Sequence, residues 1–81
     1  MSRARDVVEV VAKALAGRPD DVVVNETERR NGVTAIELSM APGELGRVIG
    51  RQGRTAAALR SLAVAAGELD QQKIVVDFND E

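Results

Sequence analysis

Several residue types that carry chemistry are missing from this sequence of 81 residues. Cysteine is absent, which excludes a disulfide framework and a thiolate zinc site. Histidine, the commonest general base and metal ligand, is absent as well. The acidic residues are scattered along the chain, and no Walker-type phosphate-binding motif occurs. These absences argue against an enzyme, and no metal or other cofactor is expected.

Phe78 is the only aromatic residue in the sequence. Its place in an alternating strand pattern predicts a position in the core. Domains that stack RNA bases on aromatic side chains, such as RRM and OB-fold domains, are therefore excluded.

The length predicts one small domain over residues 1–81, with a modest core and no room for a deep enclosed pocket. No apolar run approaches the ~20 residues that a membrane span requires. The charged N-terminus, residues 1–6, is not followed by the apolar core of a secretory signal. We therefore expect a cytoplasmic protein.

Charge is unevenly distributed along the chain, although the net charge is only −2. Residues 45–67 hold four arginines and no acid, while the rest of the chain holds seven basic residues and all thirteen acids. A basic spot on an acidic body fits a small, localised contact with phosphate. The alternative is that one helical face is merely rich in arginine.

The first half of the sequence predicts a helix and a β-hairpin. A helix is expected at about residues 3–16, capped by Ser2 and ended by Gly17. A strand follows over residues 22–28, and Asn31-Gly32 is a strong hairpin signal before the next strand, residues 33–40. The alternation in that second strand predicts an antiparallel sheet with one buried side. Its buried face comprises Thr34, Ile36, Leu38 and Met40, and its other face comprises Ala35, Glu37 and Ser39.

The second half predicts two helices and a strand. A short helix is expected at about residues 43–49, with Pro42 near its start and Gly50 as its terminator. A longer helix is expected at about residues 54–66, ended by Gly67, before a strand over residues 73–78 and a frayed acidic tail, residues 79–81. The resulting fold class is α+β, in the order α-β-β-α-α-β, with a three-stranded sheet covered by helices on one face. The long helix is expected to bury Ala58, Leu59, Leu62, Ala63 and Ala66, and the last strand Ile74, Val76 and Phe78.

A glycine-bracketed loop joins the two predicted helices of the second half. Gly50 and Gly53 enclose Arg51 and Gln52, and glycine permits positive φ and a close approach to the backbone. The free N–H groups and positive dipole end of the following helix face the same point. Phosphate is the expected guest. The surrounding arginines are Arg47, Arg51 and Arg54.

The stretch from Gly46 to Thr55 resembles the GXXG loop of KH domains, and the whole chain is similar to the KhpA family, small bacterial proteins with a single type II KH domain. The resemblance implies that the loop at 50–53 clamps the backbone of single-stranded RNA. It also favours a ligand lying close to the backbone at Gly46. The residues implied to bind RNA are Arg47, Val48, Ile49, Gly50, Arg51, Gln52, Gly53, Arg54, Thr55 and Ala58, with Val48, Ile49 and Ala58 as the apolar floor.

The same resemblance implies partners and a cellular role. KhpA-like proteins form homodimers and pair with a larger protein called KhpB or Jag, and both associations are implied for this chain. A post-transcriptional regulator or RNA chaperone linked to cell shape is implied as well. We expect weak RNA binding from one module, so that useful affinity needs a second copy or a partner.

Three alternatives remain open from the residues. The two helices around the glycine loop could form a helix-turn-helix that binds DNA, although the second helix is mostly alanine and leucine. The domain could serve only dimerisation, with a vestigial loop. It could also be a ribosome-associated assembly factor, since other type II KH domains occur in ribosomal and ribosome-assembly proteins.

Overall fold

The computed structural model describes residues 2–79. Met1 lies outside it, as do Asp80 and Glu81 of the predicted tail. The helices and strands follow the predicted order. Their bounds are α1 Arg3–Leu15, β1 Val23–Glu28, β2 Val33–Ser39, α2 Leu45–Ile49, α3 Arg54–Leu69 and β3 Lys73–Asn79.

The three strands form one mixed sheet in the order β1-β2-β3. β1 pairs with β2 in antiparallel orientation, and Glu28 lies opposite Thr34 at the hairpin end. β2 pairs with β3 in parallel orientation, from Val33 beside Lys73 to Ser39 beside Asn79. The expectation of an antiparallel sheet is therefore correct for the hairpin only. A parallel neighbour requires a crossover connection, and α2 and α3 supply it.

The N-cap of α1 and the turn of the hairpin form as predicted. The Ser2 hydroxyl accepts a hydrogen bond from the Arg5 amide at 3.2 Å and donates one to Glu26 Oε1 at 2.6 Å. This N-cap joins the start of α1 to β1. At the hairpin, Asn31 and Gly32 both adopt the left-handed conformation, with φ of 73° and 74°.

One hydrophobic core lies between the helices and one face of the sheet. Ile36 and Leu38 of β2 are fully buried there, as predicted, and Thr34 is buried beside them. Ala35 points to the opposite face yet is also buried, because its short side chain lies between Thr27 and Val75 of the flanking strands. The helices contribute Ala4, Val8, Ala12, Leu45, Val48, Leu59 and Ala63 to this core.

The predicted start of α2 is wrong by two residues. Gly43 has a φ of 82°, which no α-helix contains. Pro42 and Gly43 instead form a turn that is closed by a hydrogen bond from the Glu44 amide to the Ala41 carbonyl at 3.0 Å.

The end and the buried face of α3 also differ from the prediction. Gly67 does not end the helix. It lies inside it and is buried, because Ile74 packs directly against its Cα. The chain turns later, at Gln71 with a φ of 58°, where the Gln72 amide donates to the Gly67 carbonyl at 2.8 Å. The buried positions of α3 are Ala56, Leu59, Ala63 and Gly67, whereas Ala58 and Leu62 are exposed.

The helices can also be compared with a membrane span. Between Ser2 and Asn79, no helix combines the length and the apolar character needed to cross a bilayer.

Candidate nucleic-acid interface

The loop between α2 and α3 is built from backbone conformations that favour glycine. α2 ends at Gly50, whose amide donates to the Gly46 carbonyl at 2.9 Å. Gly50 has φ 72° and ψ 179°, and Gly53 has φ 71° and ψ 14°. Gln52 between them has φ 57°. Three of the four loop residues thus have positive φ, which turns the chain sharply and presents its backbone to solvent.

Gly50 and Thr55 form the internal contact of this loop. A Cβ placed on Gly50 would lie 2.8 Å from the Cβ of Thr55 and would collide with its hydroxyl as well. The half-buried Thr55 side chain therefore occupies the space beside the Gly50 backbone. Thr55, predicted as an RNA-binding residue, thus packs against the loop backbone at Gly50 in this structure.

Gly46 and Gly53 differ from Gly50 because no other part of the described chain packs against them. Apart from the chain neighbours and, for Gly46, the backbone of its own helix, a Cβ on either residue would meet no atom of residues 2–79 within 4 Å. Packing within the domain therefore does not explain the lack of a side chain at these two positions. Both leave open space next to the backbone, one on α2 and one at the start of α3.

The first turn of α3 faces this loop without a side-chain cap. Its N-cap residue is Gly53, which has no side chain to accept from the helix N–H groups. The dipole of the 16-residue helix adds partial positive charge at the same end. Arg51 and Arg54 are exposed beside it. Donors, dipole and cations therefore favour an anion at one place.

The loop cations are not equally available. Arg54 donates to Gln52 Oε1 at 3.2 Å, which connects two of the predicted site residues. Arg51 has no ion-pair partner within residues 2–79. Its guanidinium is therefore the loop cation best placed to meet a phosphate.

Arg47 is held by an acid that the sequence reasoning missed. Its Nε lies 2.9 Å from Glu44 Oε2, and the other oxygen of that carboxylate accepts from the Arg18 amide at 2.8 Å. Burial acts to raise the pKa of Glu44, but two backbone N–H groups of the α1–β1 loop and the Arg47 side chain donate to it. The net effect is a pKa below the ordinary value of 4.5. Glu44 therefore stays ionised and offsets part of the positive charge at Arg47. The spacing of three residues on one helical turn was the available signal.

The predicted apolar floor is smaller than expected. Val48 is fully buried in the core and has no surface with which to touch a base. Ile49 is half-buried and packs against the same core, so it keeps an accessible edge. Ala58 is exposed on α3. The structure thus removes Val48 from the set of possible contacts and makes it a support beneath Ile49.

A further cation lies on α3 beyond the predicted set. The guanidinium carbon of Arg60 sits 4.8 Å from the centroid of the Phe78 ring. Phe78 was predicted as a core residue, and it is half-buried at the margin of the core. No sequence signal pairs these two residues, because they are distant in the chain and meet only when α3 packs on β3.

Comparison with known proteins places this architecture in a family. Residues 5–78 match the family model described as KhpA/KhpB, KH domain. The RNA-binding protein KhpA of Aquifex aeolicus is 44% identical over 78 residues, which cover 96% of this chain and 98% of that protein. The RNA-binding protein KhpA of Clostridium perfringens is 40% identical over 74 residues, or 91% and 97% of the two chains. That of Mycobacterium leprae is 44% identical over 72 residues, or 89% of each. The predicted family and fold are thereby confirmed: the chain belongs to the KhpA/KhpB family of KH domains, which is not a family of enzymes.

Proposed function

We propose that this protein binds single-stranded RNA by clamping its backbone at the GXXG loop, residues 50–53, as a post-transcriptional regulator or RNA chaperone. The observation that carries the proposal is the open backbone at Gly53, next to the uncapped start of α3 and to Arg51, which has no ion-pair partner among residues 2–79. The relatives that are named RNA-binding proteins support it.

The charges of the site support weak binding by a single copy. Arg51 and Arg54 can each meet a phosphate, and Arg47 can do so only in competition with Glu44. Each phosphate contact on a single strand contributes ~0.7 to the slope of log K against log salt. Two or three contacts therefore give an expected slope of about −1.4 to −2.1.

Fluorescence anisotropy with a short single-stranded RNA at low salt tests the loop. The variant Arg51→Asp/Gln52→Asp places two carboxylates where phosphates are expected, and both positions are exposed. The hairpin variant Arg30→Asp/Asn31→Asp is a matched control. It makes the same change of charge, also at an exposed arginine followed by an amide residue with positive φ.

We expect the loop variant to lose binding and the hairpin variant to keep it, with circular dichroism showing that both are folded. Equal loss in the two variants would mean that net charge governs binding. Unchanged binding in the loop variant would move the RNA site away from residues 50–53.

We also infer that the chain associates through α3, as a homodimer or with a KhpB-like protein. Residues spaced by three or four positions share a helical face. Leu62 and Leu69, which are 55% and 72% exposed, lie on such a face. Together with two exposed alanines they form an apolar stripe, which comprises Ala58, Leu62, Ala65 and Leu69.

Sedimentation velocity at increasing concentration tests this association. The wild-type chain should sediment faster as concentration rises, and Leu62→Lys should remain a monomer because a charge interrupts the apolar stripe. A wild-type chain that stays strictly monomeric and yet binds RNA tightly would contradict the idea that avidity supplies the affinity.

A further inference from the structure

The single aromatic ring of the protein carries a cation on one side. The guanidinium carbon of Arg60 lies 4.8 Å from the Phe78 ring centroid, within the range of a cation–π contact. Phe78 also packs against the hydrophobic core. The ring is therefore held in place by the fold and supports the guanidinium that lies over it.

Arg60 remains available for a ligand. It is exposed, and among the residues that the structure describes no carboxylate lies within ion-pair distance of it. Most other arginines of the domain are committed to acids, as with Arg3 to Asp70 and Arg29 to Asp77. Because a guanidinium is planar, one that contacts a ring and is otherwise exposed can present a flat cationic surface to a ligand.

The position of Arg60 relates it to the glycine loop. Arg60 follows Arg54 by six residues on α3, which corresponds to about 9 Å along the helix axis and about 120° around it. Phe78 lies near the end of β3, beside Leu38 of β2. A KH loop holds about four nucleotides, so a strand clamped there can extend along α3 as far as Arg60.

We propose that Arg60, supported by Phe78, is a stacking platform for one nucleobase of the RNA strand. Flat guanidinium groups stack on unpaired bases as aromatic rings do. This platform would provide the stacking contact that a chain with one aromatic residue otherwise lacks. The proposal rests on the proposed function, since it needs a strand bound at the loop.

Two six-nucleotide strands with the same number of phosphates distinguish the contribution of base stacking to affinity from that of charge. One is hexa-adenylate, and the other is an abasic ribose-phosphate strand. Arg60→Lys keeps the charge and removes the plane, and Phe78→Leu removes the ring and keeps an apolar side chain. Arg30→Lys is the control, because Arg30 lies in the hairpin beside the start of β3, at the opposite end of that strand from Phe78.

We expect Arg60→Lys to weaken hexa-adenylate binding about fivefold or more, the lower end of the effect of one stacked base. Binding of the abasic strand should not change, and Arg30→Lys should match wild type on both strands. Phe78→Leu should show the same selective loss. If circular dichroism shows that it is unfolded, Arg60→Lys decides the question alone.

Each other outcome overturns the platform. Equal weakening on both strands would make Arg60 a phosphate contact only. No weakening, while Arg51→Asp/Gln52→Asp releases both strands, would make the Arg60–Phe78 pair purely structural and leave the proposed function intact. A wild-type chain that binds neither strand would overturn both proposals.

Discussion

Replacing Gly50 with alanine is expected to destabilise the domain far more than the same replacement elsewhere around the loop. Gly50 has φ 72° and ψ 179°, a region of conformational space that is essentially restricted to glycine. The added methyl group would also lie 2.8 Å from the Thr55 Cβ. The backbone and the neighbouring side chain therefore oppose the substitution independently.

The magnitude of this effect follows from three contributions. The backbone strain costs about 1–3 kcal/mol. Overpacking against Thr55 costs about 1–3 kcal/mol more. The reduced entropy of the unfolded chain returns about 0.4–1 kcal/mol. The midpoints of these ranges give a net loss of about 3 kcal/mol, which is large against the ~4–12 kcal/mol that a domain of this length holds. A loss of that size corresponds to a fall of about 12–24 °C in Tm.

Two other glycines serve as internal controls in the same urea and thermal unfolding experiments. A methyl group added at Gly53 would pack against no other part of the domain, so only the left-handed backbone conformation disfavours Gly53→Ala. A loss of about 1 kcal/mol in the free energy of unfolding is therefore expected. Gly46→Ala adds a methyl to an open helical position and should stabilise the fold by up to ~1 kcal/mol. In the Gly50→Ala background, Thr55→Ala should restore part of the loss. Equal losses at Gly50 and Gly53 would refute the role assigned to Thr55.

Two further predictions concern the fold. Gly67→Ala should destabilise the fold by about 1–3 kcal/mol, although the residue lies inside a helix, because the added methyl would collide with Ile74. The same replacement should cost less in an Ile74→Ala background. The midpoints of urea unfolding measure both effects. Hydrogen bonds from Lys13 and Arg5 lower the pKa of Glu9, and the pKa of Glu44 is lowered as well. Both acids therefore stabilise the fold above pH ~4.5, and that stabilisation should be lost as pH falls through their lower folded pKa values. The double variant Glu9→Gln/Glu44→Gln should flatten this acid-induced fall, and a fall of unchanged steepness would assign it to other groups.

The element order could be read from the sequence because its signals act locally. Ser2 caps α1 through a hydrogen bond to an amide three residues away, and Asn31-Gly32 supplies two left-handed residues at the hairpin. Gly50 ends α2 by the same kind of local conformational preference. None of these features depends on which distant residue packs nearby, so local pattern alone was sufficient.

The buried face of α3 could not be read in this way. Gly67 resembles a helix terminator, and only its contact with Ile74 of β3 shows it to be a close-packing position. Ala56 and Ala63 are equally weak signals beside Leu62, a larger residue that the structure exposes. Larger apolar residues usually indicate the buried face of a helix, but a helix that packs closely on a sheet can bury small residues and expose larger ones. The close packing of α3 on β3 therefore determines which face of α3 is buried.

The site is also less positive than the sequence predicts, for a related reason. Counting charges over residues 45–67 gave four arginines without an acid, but Glu44 lies one residue outside that window and pairs with Arg47. Because Glu44 also accepts from the Arg18 amide, it connects the start of α2 to the loop between α1 and β1. A count along the chain detects neither connection, since both depend on the turn that precedes α2.

These features combine on α3, which is apolar on two faces. One face, with Leu59, Ala63 and Gly67, packs on the domain, and the exposed stripe begins at Ala58, within the first two turns after the loop. A helix that is apolar beyond its core-facing stripe usually packs against a second surface.

If the stripe mediates pairing as proposed, each partner contributes a loop from the start of the same helix, so one RNA strand can contact two loops. The second contact then forms at high effective concentration, which raises the affinity of two weak sites by ~10²-fold or more without any new contact. Loss of pairing in Leu62→Lys should therefore weaken binding of a long RNA much more than binding of a hexamer.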